Sequence, residues 1–276
     1  KEVPVPLQSG GLSTRFELAL EANNIIPLEE TFEELDINEE DERQILELSQ
    51  DPKVFEKLTK SIIPSVWGYD EIKRCLILQL FGGVEKTHTD GQRSRGDMHI
   101  LLIGDPGVAK SATLVFMAKI SPKGRYVVGK SATGAGLTAT VVRDEYLRGW
   151  SLEAGSMVLA NRGLLCIDEL EKMDPGDRSA MHEAMEQQTV TISKANVHAT
   201  LRAETSVLAA ANPKFGRFDP FQSIAQQIDL PPTLINRFDV IFPLRDLPNR
   251  EKDELIATHV LHEHQKMGEE MLISKD

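Results

Sequence analysis

Cysteine is nearly absent: Cys75 and Cys166 are the only two in 276 residues. Cys75 lies in an apolar helical pattern beside Ile72 and Leu76, and Cys166 lies inside the strand-like run Leu164-Leu-Cys-Ile167. Two isolated thiols with apolar neighbours exclude a disulfide scaffold and a cysteine metal site. They read as small buried hydrophobes of a reducing compartment. Also missing is any apolar run long enough to span a bilayer. Lys1-Glu-Val-Pro4 lacks the shape of a signal peptide, and its abrupt start reads as the edge of a longer chain. Basic residues are in deficit, 31 Lys and Arg against 43 Asp and Glu, for a formal charge of −12. That deficit argues against a broad basic face for nucleic acid, though not against a narrow basic feature repeated around an oligomer. There is no internal repeat and no low-complexity stretch.

What is present is organised around Met98 to Thr113. A buried strand, Met98–Ile103, runs into a Gly/Pro-rich loop, and Lys110-Ser111 opens a helix carried on by Leu114, Val115 and Ala118. A phosphate-binding loop needs this order. Backbone N–H groups of the loop and helix N-terminus converge on phosphates, the Lys ammonium reaches the outer ones, and the Ser hydroxyl ligates Mg²⁺. The expected nucleotide-binding residues are Gly104, Asp105, Pro106, Gly107, Val108, Ala109, Lys110, Ser111 and Ala112. Ala109 stands where the formal G-x-x-x-x-G-K-[ST] pattern places its last Gly. The pattern is matched instead at Gly124-Arg-Tyr-Val-Val-Gly-Lys-Ser131. That match is set aside, because Arg125–Val128 is β-branched and aromatic and favours a strand over a cradle of free amides.

Around this loop the chain reads as strands alternating with helices, hence a parallel α/β sheet with hairpins added. Residues 1–27 contain two short β-like pieces, Val3–Leu7 and Phe16–Leu20, and residues 28–42 are an acidic stretch expected to be linker. The α/β core spans 43–249, and a helix from Arg250 to Lys266 begins a further element within 250–276. Helices are expected at 45–48, 52–60, 70–81, 134–142, 153–161 and 177–187. Further strands are expected at 125–129, 163–167, 205–211 and 238–244, with hairpins at 143–153 and 189–201. The apolar, irregular segment Ser61–Tyr69 fits either an adenine slot or a hydrophobic connector.

Several side chains carry chemistry. Asp168-Glu169 closes an apolar strand, where one carboxylate can hold the Mg²⁺ shell with Ser111 and the next can polarise the attacking water. Asn212 closes the following strand, Val207–Ala211, and its uncharged amide can contact a γ-phosphate or the water. Arg237, just before the last strand, offers a guanidinium to transition-state charge, and its distance along the chain favours a neighbouring subunit's site. Lys194 stands at or near the tip of the hairpin 189–201. Such a lysine is either solubilised surface or, repeated around a channel, a contact for a phosphate backbone. His182-Glu-Ala-Met-Glu186 is no zinc motif, because Glu stands where the second His belongs. His262 and His264, two apart, lack a third ligand.

Together these motifs resemble the minichromosome maintenance (MCM) family, in its AAA+ ATPase domain, over about residues 40–266. Gly104-Asp-Pro-Gly-Val-Ala-Lys-Ser111 is similar to the family's variant phosphate loop, in which Ala replaces Gly. Leu165-Cys-Ile-Asp-Glu169, Ala211-Asn-Pro-Lys-Phe-Gly216 and Asn236-Arg-Phe-Asp239 match its Walker B, sensor 1 and arginine-finger segments, although Asn236 stands where Ser is more usual. The resemblance implies an AAA+ P-loop fold with a parallel sheet, inserted β-hairpins and the end of an N-terminal β-domain in 1–27. It implies a replicative DNA helicase working as a hexameric ring with the genome, in nucleoid or nucleus, with ATP and Mg²⁺ between subunits. Lys110, Ser111, Asp168, Glu169 and Asn212 would come from one subunit and Arg237 from the next. Lys194 would contact DNA from the pre-sensor-1 hairpin, 143–153 would be the helix-2 insert, and 250–276 the start of the helical lid. Two other readings stay open: a chelatase- or MoxR-like remodelling ATPase, and a ring scaffold that binds nucleotide and DNA without turnover. Ala109 and Arg237-Phe-Asp239 weigh against the first, and the intact polar set weighs against the second.

Overall fold

The computed structural model describes residues 2–6, 12–18, 37–91, 93–131, 134–144, 149–194, 197–219 and 221–273. Residues 1–37 and 38–276 form two separate units. In the first, β1 (Glu2–Pro6) pairs antiparallel with β2 (Leu12–Leu18), with an irregular register between Pro4 and Pro6. Leu7, Ala19 and Leu20, expected in these strands, and residues 28–36 of the acidic stretch lie outside the described residues.

The second unit opens with α1 (Glu39–Ser49), α2 (Val54–Ser61) and α3 (Asp70–Phe81). Acidic residues expected as linker therefore enter a helix at Glu39. Asn38 caps it, accepting from the Glu40 and Asp41 amides while its own N–H donates to Asp41, and four acidic side chains occupy the first turn. Acidic residues there suit the positive end of the helix dipole. A small hairpin follows, β3 (Lys86–Thr87) with β4 (Arg93–Ser94). Next come β5 (Ile100–Gly104), α4 (Lys110–Ile120) and β6 (Arg125–Val128). Short α5 (Gly134–Leu137) leads to the hairpin of β7 (Ala139–Asp144) and β8 (Gly149–Ala154). After α6 (Ser156–Leu159) and β9 (Leu164–Asp168) comes α7 (Pro175–Gln187), with Pro175 in its first turn. The hairpin β10 (Thr189–Lys194) and β11 (Val197–Arg202) precedes β12 (Ser206–Ala211). The described chain ends with α8 (Pro232–Ile235), β13 (Val240–Leu244) and α9 (Arg250–Ile273).

Two expected helices are corrected. That over 153–161 keeps only Ser156–Leu159, with Glu153 and Ala154 in β8. Of that over 134–142, only Gly134–Leu137 is helical, and Ala139–Asp144 pairs antiparallel with Gly149–Ala154. Thr140, Val141 and Val142 are β-branched, and side-chain crowding favours the strand once a partner is available. The expected turn residue Arg148 lies outside the described residues, as do Ala195 and Asn196 of the second hairpin.

The strands β13-β5-β12-β9-β6 form one sheet, and every neighbouring pair is parallel. All five residues of β5 and of β9 and all six of β12 are buried, as a parallel sheet covered on both faces requires. Alternation divides the core. Leu101, Ile103, Leu165, Ile167, Val207 and Ala209 face one layer with Leu137, Met181 and Met185. Ile100, Leu102, Leu164, Cys166, Leu208 and Ala210 face the other, with Leu76, Leu114 and Met117. Cys75 and Cys166 are both free thiols, and burial pushes Cys166 up to about 12. The first strand of this sheet, β5, lies between β13 and β12, strands much later in the chain. In such sheets ligands bind beyond the carboxyl ends of strands where the strand order reverses.

Candidate active site

Beyond the carboxyl ends of β5, β9 and β12 lies a cavity of about 390 Å³. Pro106, Gly107, Ala109, Lys110, Ser111, Ala112, Asp168, Glu169 and Asn212 line it. The rejected match at 124–131 contributes no lining residue here, and its Arg125–Val128 is the edge strand β6.

The loop is bent by backbone conformation. Gly107 has φ +88 and Ala109 φ +60, both left-handed. For Ala this conformation costs roughly 1–2 kcal/mol. The Ala109 carbonyl accepts from both the amide and the hydroxyl of Thr113, at 3.0 and 2.9 Å, which ties the bend to α4. Gly104 is needed for a different reason: a Cβ there would lie 2.5 Å from the Leu244 Cβ of β13.

Lys110 is buried, and its ammonium donates to the Gly104 and Asp105 carbonyls at 2.6 and 2.7 Å. An ammonium has three N–H donors, so one is left for the cavity. Burial pushes the Lys110 pKa down, and the negative charges of Asp168, Glu171 and Asp105 oppose that. Asp168 is buried too, accepting from the Glu169 amide at 2.9 Å and the Tyr126 hydroxyl at 3.1 Å. Burial and the Asp168 carboxylate push Tyr126 up to about 12. Glu169 is left-handed at φ +52, and its Oε1 accepts from Lys172 Nζ at 2.6 Å. Gly129 lies against this turn. A Cβ there would meet the Glu169 carbonyl oxygen at 2.4 Å.

Three residues expected to bind nucleotide sit otherwise. Gly104, Asp105 and Val108 are not among the cavity's lining. The Asp105 carboxylate is buried, and each oxygen accepts one amide, Phe218 at 2.7 Å and Asp246 at 2.9 Å. It ties the loop after β12 and the loop after β13 to the loop after β5. Val108 lines a narrow apolar pocket with Ile63, Val66, Tyr69 and Thr113, so the segment 61–69 does border the phosphate loop.

Arg237 does not line the cavity. Its guanidinium donates to His182 Nε2 at 3.2 Å and pairs with Glu186 at 2.6 Å, both on α7. Its carbonyl accepts from Arg95, which also pairs with Asp239 at 2.8 Å. Lys194 is the last residue of β10, paired with Val197.

The sequence model of the MCM P-loop domain matches residues 41–264. The chain belongs to the MCM family. It is 46% identical over 245 residues to DNA replication licensing factor mcm7 of Schizosaccharomyces pombe, covering 89% of this chain and 32% of that protein. It is 44% identical over 271 residues to the minichromosome maintenance protein MCM of Saccharolobus solfataricus, covering 98% of this chain and 39% of that protein. To MCM7 of Arabidopsis thaliana it is 44% identical over 246 residues, 89% of this chain and 34% of that protein. The chain thus spans about a third of the length of these relatives. No helix among the described residues is long and apolar enough to cross a membrane.

Three polar residues of this MCM domain's site escape the sequence reading: Tyr126, Glu171 and Lys172. Tyr126 reaches Asp168 across 42 residues of chain, and Glu171 accepts from Asn212 across 41. The separations are set by parallel pairing of β6, β9 and β12, which no local motif announces. Lys172 had a local signal, three residues after Glu169, the helical spacing for an ion pair.

Proposed function

We propose that this MCM domain is the motor of an ATP-dependent DNA helicase, coupling ATP hydrolysis at subunit interfaces to translocation on DNA and unwinding during replication. The observation that carries this reading is the single cavity lined together by Lys110, Ser111, Asp168, Glu169 and Asn212. The Pro106–Ala112 backbone cradles the phosphates, and the free Lys110 donor reaches the outer ones. Asn212 contacts the γ-phosphate or water, and Glu169 polarises the attacking water, for which its carboxylate must leave Lys172.

Mg²⁺ fits the donors present. Ser111 and Asp168 supply hard oxygens. Among the described residues no group of three or more His, Cys, Asp or Glu forms an all-protein cage. Magnesium is usually held by one or two protein oxygens together with phosphates and water, and there it neutralises charge developing on the phosphoryl group.

Among the described residues no arginine lines the cavity, which supports Arg237 acting on the neighbouring subunit's nucleotide in a hexameric ring. Lys194, at the end of β10, is the hairpin's contact for DNA in the channel. Residues 1–27 are the end of an N-terminal β-domain, 43–249 the AAA+ core and 250–276 the start of the lid. The test is fork unwinding and DNA-stimulated ATP hydrolysis by the assembled full-length protein. Lys194→Ala is expected to retain hydrolysis and lose unwinding at least about tenfold. Unwinding at the parent rate by that variant would sink the hairpin assignment, and ATP turnover indifferent to DNA would sink the helicase.

A further inference from the structure

Glu171 reaches the site, yet no step above uses it. The chain leaves β9 at Asp168, turns at left-handed Glu169, and makes one 3-10 turn over Leu170–Lys172. In the sheet β9 and β12 are neighbours, so that single turn brings Glu171 against Asn212, the residue after β12. There its two oxygens are divided. Oε2 accepts from the Asn212 backbone N–H at 3.1 Å, and Oε1 accepts from Asn212 Nδ2 at 2.9 Å. The Glu171 carbonyl in turn accepts from the Arg178 guanidinium, which pins the turn to α7.

An asparagine amide carries an acceptor on one side and a donor on the other, nearly equal in size. Without a discriminating partner it can face a ligand either way round. An ionised carboxylate only accepts, so it discriminates. Turned over, Asn212 would set Oδ1 against Glu171 Oε1, oxygen against oxygen. The functions left for the cavity, Oδ1 and the second Nδ2 hydrogen, are thereby fixed in place.

We propose that Glu171 is a positioning residue for ATP hydrolysis, holding the Asn212 amide in the one orientation that serves the γ-phosphate and the attacking water. The proposal rests on the reading of Asn212 given above. Glu171 acts through Asn212, so its removal is expected in the rate of the chemical step and not in nucleotide capture. A preorganised donor matters most where charge develops, which is why orientation registers in kcat.

Glu171 also lies close enough to Lys110 for its charge to be felt there. The test must therefore separate orientation from charge. It is a double-mutant cycle in the assembled full-length protein, reading kcat, KM for ATP, affinity for a fluorescent non-hydrolysable ATP analogue, and melting temperature. Glu171→Gln keeps the shape but turns one acceptor into a donor. It is expected to lower kcat about 10- to 100-fold, as loss of a supporting contact does elsewhere, with KM and analogue affinity within about twofold. In an Asn212→Ala background it is expected to add nothing. Glu171→Asp keeps the charge and both acceptors on a shorter arm and is expected to recover part of kcat.

A kcat loss of equal size in the Asn212→Ala background would overturn the proposal, as would a fall in analogue affinity matching the fall in kcat. Normal turnover by Glu171→Gln beside a slow Asn212→Ala would overturn the positioning role alone. Normal turnover by Asn212→Ala would instead remove the reading of Asn212 and this proposal with it.

Discussion

The two ends of the central sheet treat polar groups in opposite ways. At the amino ends of the strands, side chains are spent on closing the backbone. Gln79 Nε2 donates to the Met98 and Val207 carbonyls at 2.9 and 3.0 Å, and His99 Nδ1 accepts from the Val207 amide at 3.1 Å. Asp239 takes the His99 amide at 2.7 Å and the Arg95 guanidinium at 2.8 Å. At the carboxyl ends, left-handed Ala109 and Glu169 lift the chain away, and buried Lys110 and Asp168 keep bonding capacity directed at a cavity. One end uses its side chains to close the backbone and still leaves Gln79 Oε1 buried without a hydrogen-bond partner among the described residues. The other accepts strain and buried charge, which are common where a site is preorganised for a ligand.

The largest expected effect breaks the second end without touching the first. Lys110→Ala should lower ATP turnover by at least about 100-fold, the scale of losing one preorganised donor, while the nucleotide-free unfolding free energy moves by about 1 kcal/mol or less. Steady-state hydrolysis beside urea titration reads both, and a stability loss of several kcal/mol would erase the contrast. Mixing Lys110→Ala with Arg237→Ala subunits should restore some turnover, because one interface in such rings holds both intact residues. No recovery at any mixing ratio would count against a finger supplied by a neighbour.

A middle-sized effect belongs to the amino end. Burial, with the Arg95 guanidinium nearby, holds the His99 pKa down at about 3 against an ordinary 6.5, while Asp239 pulls the other way. Between those values the unfolded chain binds a proton at this residue that the folded one does not. Stability contributed by neutral His99 is therefore present above pH 6.5 and is lost as pH falls toward 3. The slope is at most roughly 1.4 kcal/mol per pH unit. Urea titrations of the parent and His99→Asn across that window should give a shallower slope for the variant; equal slopes would acquit His99.

The smallest effect is at Lys172. Its pair with Glu169 is partly exposed on both sides, 47% and 33%, so solvent screening should leave Lys172→Ala with little effect on stability. Turnover within a few-fold of the parent would confirm that Lys172 only parks the Glu169 carboxylate. A loss as deep as that of Lys110→Ala would make it part of the chemistry.

Much of this was legible along the chain. Continuous apolar runs marked β5, β9 and β12, because strands buried on both faces need no polar alternation. Strand context placed the phosphate loop at Lys110 and set aside the formal motif match at Gly124–Ser131, which folds as strand β6 and the turn after it. The expected helix over 134–142 ends at Leu137, and the β-branched Thr140, Val141 and Val142 lie in a strand. A partner strand ten residues on supplied backbone bonds that local preference does not count.

By itself, then, the sequence determined which strands are buried, where the loop bends and which side chains end β9 and β12. These follow from hydrophobic runs, helix starts and turn residues, all encoded within a few positions. Only the tertiary structure decided that the Asp105 carboxylate ties two neighbouring loops, that Tyr126 donates to Asp168, and that Glu171 holds Asn212. Those contacts join residues about 40 to 140 positions apart. They exist because parallel pairing sets the ends of β5, β6, β9, β12 and β13 at one edge, and the order of strands in a sheet is a property of the assembled core.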